Sequence, residues 1–435
     1  MFDTSTRKPD YILLSTVSIL LALGLVMVYS SSFVEGFTLH NSQFYYVLRQ
    51  LAGATIGVAG LLIAQRLDYR VWRRLSVPFL ALILILLVLV LVLPASITTV
   101  NNSKSWIRFS GGFFSIQPSE VAKLGLIIYF ADWLSQRGEK IGNVTYGLIP
   151  FAVMLGLICG LIMLQPDFGS TVTIIVIAGA IYFVAGANLV HIAGAVGLGV
   201  LAFWSLFELF GIKNARIEAF KNPWDYYSTH AYQPIHALYA FASGRIFGVG
   251  LGQSRQKFQW LPQAHTDTIF AIIGEELGLI GALLVLVGFL VIAQRGYRIA
   301  TRTTDPFAAL VATGITAWIT FQALINLGVT TSLLPFTGLT LPFIAYGSTS
   351  LIMCLVGIGI LLNISRHTTT QRFEETINVP KRFSTSFAFL HTLPLWRRHG
   401  RSRLSGAGGR QRSGFKVQGS GARTRRTRAG GHVWD

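Results

Sequence analysis

The stretch Trp260-Leu261-Pro262-Gln263-Ala264-His265-Thr266-Asp267-Thr268-Ile269-Phe270-Ala271-Ile272-Ile273-Gly274-Glu275-Glu276-Leu277-Gly278-Leu279-Ile280-Gly281 sets a polar, Pro-started entry against a long apolar run. It reads as the mouth of a membrane-spanning helix. An ionisable residue is costly to keep at such a place and marks a functional position by default. Asp267 has two readings on these residues alone: a chemical group, or an N-cap, a position at which Asp is a preferred residue.

Outward from this stretch the same texture continues. The chain is 52% hydrophobic and 12% charged, with mean hydropathy +0.55, whereas a soluble domain carries about twice that charge. Apolar stretches of about 20 residues, enough to cross a bilayer as helix, recur along it. Ten are expected, at 11–33, 45–65, 77–95, 118–134, 147–165, 168–186, 188–211, 268–293, 306–330 and 342–365. The fold class is therefore an all-α polytopic membrane protein with a large loop between the seventh and eighth helices. The first stretch is longer than a signal-peptide core and lacks an Ala-x-Ala-like site after it, so it is expected to remain as a span.

Charge asymmetry orients the spans. Arg7 and Lys8, then Arg66, Arg70, Arg73 and Arg74, then Arg137 and Lys140, and then Arg295, Arg298 and Arg302 all fall on one side. The loops at 34–44 and 331–341 contain no Lys or Arg. The 96–117 loop carries Lys104 and Arg108, and the 212–267 segment has several basic residues. A loop of the latter size translocates largely regardless of charge, so the positive-inside pattern puts both termini in the cytoplasm and 212–267 outside. The net charge of +18 is uneven, since residues 366–435 hold fifteen Lys and Arg against Glu374, Glu375 and Asp435, a net +12. That tail, rich in Gly, Ser and Thr, is expected to be disordered and to lie near anionic headgroups rather than to bind nucleic acid. The domain reading is a membrane body over 1–365 and a basic tail over 366–435.

Cys159 and Cys354 fall inside expected helices and read as small core residues. The histidines show no metal-ligand spacing, and no Gly-Lys-Ser/Thr phosphate loop is present. The polar groups at the outer helix ends carry more information. The fourth helix opens Gln117-Pro118-Ser119-Glu120-Val121-Ala122-Lys123, which places Glu120 and Lys123 on one face, as a structural ion pair or as a functional one. The sixth opens Gln165-Pro166-Asp167, where Asp167 reads as N-cap or as participant. The tenth continues from Pro342 into Ala345-Tyr346-Gly347-Ser348-Thr349-Ser350, small residues that also permit close packing. Four helix N-termini on one side, with Lys104, Arg108, Lys123, Arg216, Arg255 and Lys257 near it, suit an anionic, membrane-anchored substrate. The aromatics Trp224, Tyr226, Tyr227 and Tyr232 suit either sugar stacking or the interfacial belt. The glycines from Gly244 to Gly252 are a weak signal, because no strand precedes them.

Taken in order, these motifs resemble the SEDS family (shape, elongation, division and sporulation), which includes RodA, FtsW and SpoVE. The matching residues are Ser105-Trp106-Ile107, Gln117-Pro118-Ser119-Glu120 with Lys123, Gln165-Pro166-Asp167-Phe168-Gly169, Asn222-Pro223, Tyr232-Gln233, Gly248-Val249-Gly250-Leu251-Gly252, Leu261-Pro262 through Gly278, and Asn326 through Ser350. The phrases Ala264-His265-Thr266-Asp267 and Thr340-Leu341-Pro342 lean to the FtsW branch. The resemblance implies a peptidoglycan glycosyltransferase that polymerises lipid II on the outer face of the cytoplasmic membrane, for division or shape. It implies Asp267 as the catalytic residue and Glu120 and Lys123 as a polar pair in the central cavity. The remaining candidate substrate contacts are Trp106, Arg108, Asp167, Arg216, Gln233, Lys257, His265, Thr266, Asn326 and Ser350. A class B penicillin-binding protein is the implied partner, alongside membrane lipids. A divalent cation, Mg or Mn, is a conceivable cofactor, although no metal motif is visible.

The chain departs from the family pattern at Gln263, usually Glu; at Thr268, usually Phe; at Ser332, usually Gly; and across Ala345-Tyr346-Gly347-Ser348-Thr349-Ser350, usually Ser-Tyr-Gly-Gly-Ser-Ser. Two other functions stay open on sequence: a lipid II flippase, and a division scaffold without catalysis. A flippase calls for polar groups near the midplane, whereas these carboxylates gather at one end.

Overall fold

The computed structural model describes residues 8–100, 103–108, 115–188 and 215–368, with positions 190, 191, 193, 194 and 197. Nine of the ten expected spans are helices there, and the seventh, 188–211, lies mostly outside the described residues. The helices are α1 (Tyr11–His40), α2 (Tyr45–Arg66), α3 (Tyr69–Arg74), α4 (Ser76–Val92), α5 (Ala95–Thr98), α6 (Pro118–Ser135), α7 (Ile149–Met163), α8 (Phe168–Val184), α9 (Ala215–Lys221), α10 (Tyr232–Gly244), α11 (Ile269–Arg302), α12 (Pro306–Thr330) and α13 (Ser348–Ser365). The described strands are two-residue pieces in two antiparallel pairs, Thr99–Val100 with Ser103–Lys104 and Ile107–Arg108 with Ser115–Ile116.

Local chemistry sets the helix ends. Asp10 accepts from the Leu13 amide to start α1, and Asp305 accepts from the Phe307 amide to start α12, with Pro306 in the first turn, where a missing N–H has no consequence. Helix α1 runs to His40, seven residues beyond the expected 33. At 1.5 Å per residue it is about 45 Å long, more than a hydrocarbon core of roughly 30 Å.

Two boundaries differ more. The last span begins at Ser348 and not at 342, because residues 341–347 form an irregular segment bound to α2. Gln50 donates to the Ala345 carbonyl at 3.1 Å and accepts from the Gly347 amide at 3.2 Å. The eighth span, expected over 268–293, runs from Ile269 to Arg302 but is interrupted at Gly278, where φ is 67°.

That interruption explains the Gly244–Gly252 run. The carbonyls of Glu275 and Glu276 accept from the amides of Val249 and Gly250, and the amides of Leu279 and Ile280 donate to the carbonyls of Arg245 and Ile246. The loop thus replaces the bonds the helix lacks, as backbone at membrane depth requires. Gly248 adopts φ 79°, and a Cβ there would stand 2.2 Å from the Glu276 carbonyl oxygen. The same loop delivers Lys257, whose Nζ lies 2.8 Å from Glu276, with neither side chain exposed.

Helix α6 is the centre of the bundle. Fourteen of its residues are buried, and it packs against α4, α8, α12 and α13. Helices α2 and α13 approach closely because Gly53 and Gly57 face Ser348, Ile352 and Leu355, the small-residue packing that lipid surroundings favour.

Candidate active site

A buried ion pair lies one turn inside α6. Lys123 Nζ is 2.7 Å from Glu120 Oε1 and also donates to Gln322 Oε1 at 2.9 Å. Lys123 is wholly buried and Glu120 is 4% exposed, so each charge depends on the other. Gln322 Oε1 further accepts from Trp318 Nε1 at 2.9 Å, while its amide donates to the Thr340 carbonyl at 3.0 Å. One helical turn on, Asn326 Nδ2 donates to the carbonyls of Asp267 at 2.8 Å and Leu339 at 2.7 Å. Trp318, Gln322 and Asn326 are spaced by four on α12 and so form one polar stripe. The stripe connects the Glu120–Lys123 pair to the backbone of Asp267. Trp318 and Gln322 were not among the sequence candidates, although two amides four apart in an apolar helix are a readable signal.

Asp267 is half-buried in the turn that leads into α11. The cap position belongs to Thr268, whose side chain makes no capping bond, so the N-cap reading of Asp267 is replaced. The turn winds around Gln263 at φ 54°. The Gln263 carbonyl accepts from the Thr266 amide and from the hydroxyls of Thr266 and Thr268, and Thr266 also donates to Gln263 Oε1 at 2.8 Å. Opposite lies Gly338 at φ 71°, where a Cβ would stand 3.6 Å from Asp267 Oδ2. The left-handed backbone favours glycine there, and the absence of a side chain leaves room beside the carboxylate.

His265 faces the other way. Its Nδ1 is 3.2 Å from Glu35, its ring packs 4.3 Å from Tyr46, and its carbonyl accepts from the Tyr346 amide at 2.9 Å. It joins the Asp267 turn to the C-terminal end of α1 and to the segment before α13.

The other candidates divide by what they touch. Asp167 is the cap of α8, accepting from the Ser170 amide at 3.0 Å and from Ser119 Oγ at 2.9 Å, and this settles its cap reading. Ser350 lies in the first turn of α13, buried, and hydrogen-bonds Cys354 one turn on. Gln233 donates to the Pro262 carbonyl at 3.1 Å, bracing the segment ahead of Asp267. Trp106 is half-buried, its amide donating to the Thr98 carbonyl at 3.2 Å, and Arg108 Nη2 donates to the Thr99 carbonyl. Lys257 is sealed between Glu276, Ser30 and the Phe33 ring and does not line an open cavity, because the glycine loop carries it inward. Arg255 is exposed, and the Arg216 side chain lies outside the described residues. Among the described residues no three His, Cys, Asp or Glu side chains gather as a metal site.

Glu275 and Glu276 went unremarked in the sequence reading beyond their place in the motif. Glu275 accepts from Ser254 Oγ and from the Arg255 amide at 3.0 Å, and Glu276 accepts from Ser30 Oγ at 2.7 Å. Both are structural pins for the glycine loop.

The chain is similar to several known proteins. The probable peptidoglycan glycosyltransferase FtsW of Geobacter metallireducens is 40% identical over 359 residues, 82% of this chain and 95% of that one. Stage V sporulation protein E of Bacillus subtilis is 41% identical over 369 residues, 84% of this chain and 99% of that one. A chain of a peptidoglycan synthase complex that coordinates polymerization and crosslinking superposes with TM-score 0.67 at 26% identity, covering 83% of this chain and 99% of that one. The rod shape determining protein RodA of Thermus thermophilus superposes with TM-score 0.61 at 28% identity, covering 83% and 98%. With the cell cycle protein model FtsW/RodA/SpoVE matching residues 11–370, this chain belongs to that family of polytopic membrane proteins.

Proposed function

We propose that the chain is a peptidoglycan glycosyltransferase of the cytoplasmic membrane that polymerises lipid II into glycan strands, with Asp267 as the general base. The observation that carries this reading is the half-buried carboxylate of Asp267, set over Gly338 with its backbone held by Asn326. The carboxylate takes the proton of an acceptor sugar hydroxyl as that oxygen bonds to the anomeric carbon of the donor. The bond from that carbon to the lipid diphosphate breaks, its electron pair leaves with the diphosphate, and the carbon inverts.

The developing negative charge needs stabilisation. Lys104, Lys123 and Lys257 are committed to the Leu91 carbonyl, Glu120 and Glu276. The starts of α11 and α13 are different, since neither Thr268 nor Gly347 caps its helix with a side chain. Helix N-termini in that state attract phosphate groups. Glu120 and Lys123 support the site through Gln322, and Asn326 positions Asp267.

On the charge pattern, the Asp267 end faces outward and both termini face the cytoplasm, with residues 366–435 as a separate basic tail. The relative drawn from a peptidoglycan synthase complex supports a crosslinking partner, a class B penicillin-binding protein. The deciding experiment is a lipid II polymerisation assay on purified protein and on Asp267→Asn, with and without that transpeptidase. Transfer of lipid II across vesicles with no glycan formed would favour a flippase instead.

A further inference from the structure

At the Arg298 end of α11, the end opposite the Asp267 turn, lies a recess the glycosyltransferase reading does not use. It has a volume of about 340 Å³ and is bounded by the start of α1, the last turns of α11 and the end of α13. Lys8, Arg295, Arg298 and Arg302 line it, with Asp10 as the one carboxylate among the lining residues, a net +3. Asp10 is already engaged. Its Oδ2 lies 2.6 Å from Arg295 Nη2, and its Oδ1 accepts from the Leu13 amide. Lys8, Arg298 and Arg302 are all exposed.

The recess is polar at one edge and apolar at the other. Tyr11 and Ile12 at its rim are 59% and 52% exposed, and Ile19 and Val26 follow on the same face of α1 at 67% and 51%. Residues 12, 19 and 26 repeat every seven positions, so an unpaired apolar stripe runs from the recess down the membrane-spanning length. Helix α11 continues this wall with Val287 and Leu290, each 52% exposed. A cluster of cations above an apolar track matches a phosphate headgroup with acyl chains below it.

We propose that this recess binds the phosphate headgroup of an anionic membrane phospholipid, with an acyl chain along the Ile12–Ile19–Val26 face of α1. Basic pockets of this kind between membrane helices hold anionic headgroups, each basic side chain contributing roughly a fivefold change in affinity.

The test uses the full chain taken from equimolar phosphatidylcholine and phosphatidylglycerol vesicles, with retained lipid identified by native mass spectrometry. Wild type is expected to retain phosphatidylglycerol selectively. The double variant Arg298→Gln/Arg302→Gln should bind it about 25-fold more weakly, taking about fivefold per side chain. The same change of charge in Arg70→Gln/Arg74→Gln, on α3, should leave retention unaltered. Lys8→Gln lies outside every helix, so its expected loss of about fivefold stands even if the arginine pair proves hard to fold. Equal retention by wild type and by the recess variants overturns the proposal. Displacement of the lipid by soluble glycerol phosphate at matched concentration overturns the lipid assignment in favour of a free phosphate ligand.

Discussion

The Asn326 side-chain amide donates to the backbone carbonyl of Asp267 at 2.8 Å, tying the mouth of one membrane helix to the side of another. Its second proton goes to Leu339 at 2.7 Å, so both donors are spent on positioning. Asn326→Asp puts a carboxylate against two carbonyl oxygens. Leaving buried acceptors unsatisfied costs roughly 1–3 kcal/mol each, and the Asp267 turn should loosen. The expected outcome is a fall in kcat of at least about tenfold with little change in KM for lipid II, the split that lost transition-state geometry produces. A change in KM alone would return Asn326 to a direct substrate contact.

Asp267→Asn should keep the fold. Thr268 occupies the cap position, so no capping energy is removed, and Asn is close to Asp in shape. Loss of the proton acceptor is expected to lower polymerisation by roughly 10²–10⁴-fold. Thermal melting and lipid II binding, measured beside activity, should stay near wild type. Normal glycan formation by this variant would end the general-base assignment.

Glu120 and Lys123 should behave as a unit. Removing one partner of a buried pair costs about 3–5 kcal/mol, whereas replacing both with apolar side chains is often close to neutral. Lys123→Leu alone should lower the melting temperature in detergent sharply, and Glu120→Leu/Lys123→Leu should recover most of that loss. The double variant should remain impaired in activity, since Gln322 loses its Lys123 contact. Additive melting shifts would mean the two charges do not depend on each other.

Ser332, a position where the family pattern implies Gly, has φ 55°. A left-handed backbone costs a non-glycine residue roughly 1–2 kcal/mol. Ser332→Gly is therefore expected to stabilise the protein by about 1 kcal/mol after the added chain entropy of glycine is subtracted. A higher melting temperature with unchanged polymerisation checks this. A lower one would show that the Ser332 side chain offsets the strain.

The topology follows from charge and is tested by labelling. In a background without Cys159 and Cys354, a cysteine at Tyr227 should react with an impermeant reagent on intact cells. One at Ser420 should react only after lysis. The reverse pattern would invert the orientation.

The class of this protein was legible in its sequence because a bilayer makes a blunt demand: runs of about 20 apolar residues, with charges confined to their ends. Pro306 to Thr330 was readable to the residue, since Asp305 and Pro306 mark the start chemically. The motif around Asp267 was equally plain. Other features needed the folded chain. Gly244–Gly252 carried no local meaning, because its purpose is to bond the backbone of a helix broken at Gly278, a partner some thirty residues away. Lys257 looked like a cavity cation until that loop turned it onto Glu276. Asp267 and Asn326 stand 59 positions apart, and only packing of α12 against the entry to α11 makes one the support of the other. Residue type and spacing determine which groups a membrane helix carries. Long-range packing, which spacing does not encode, decides which of them are spent on structure and which are left for chemistry.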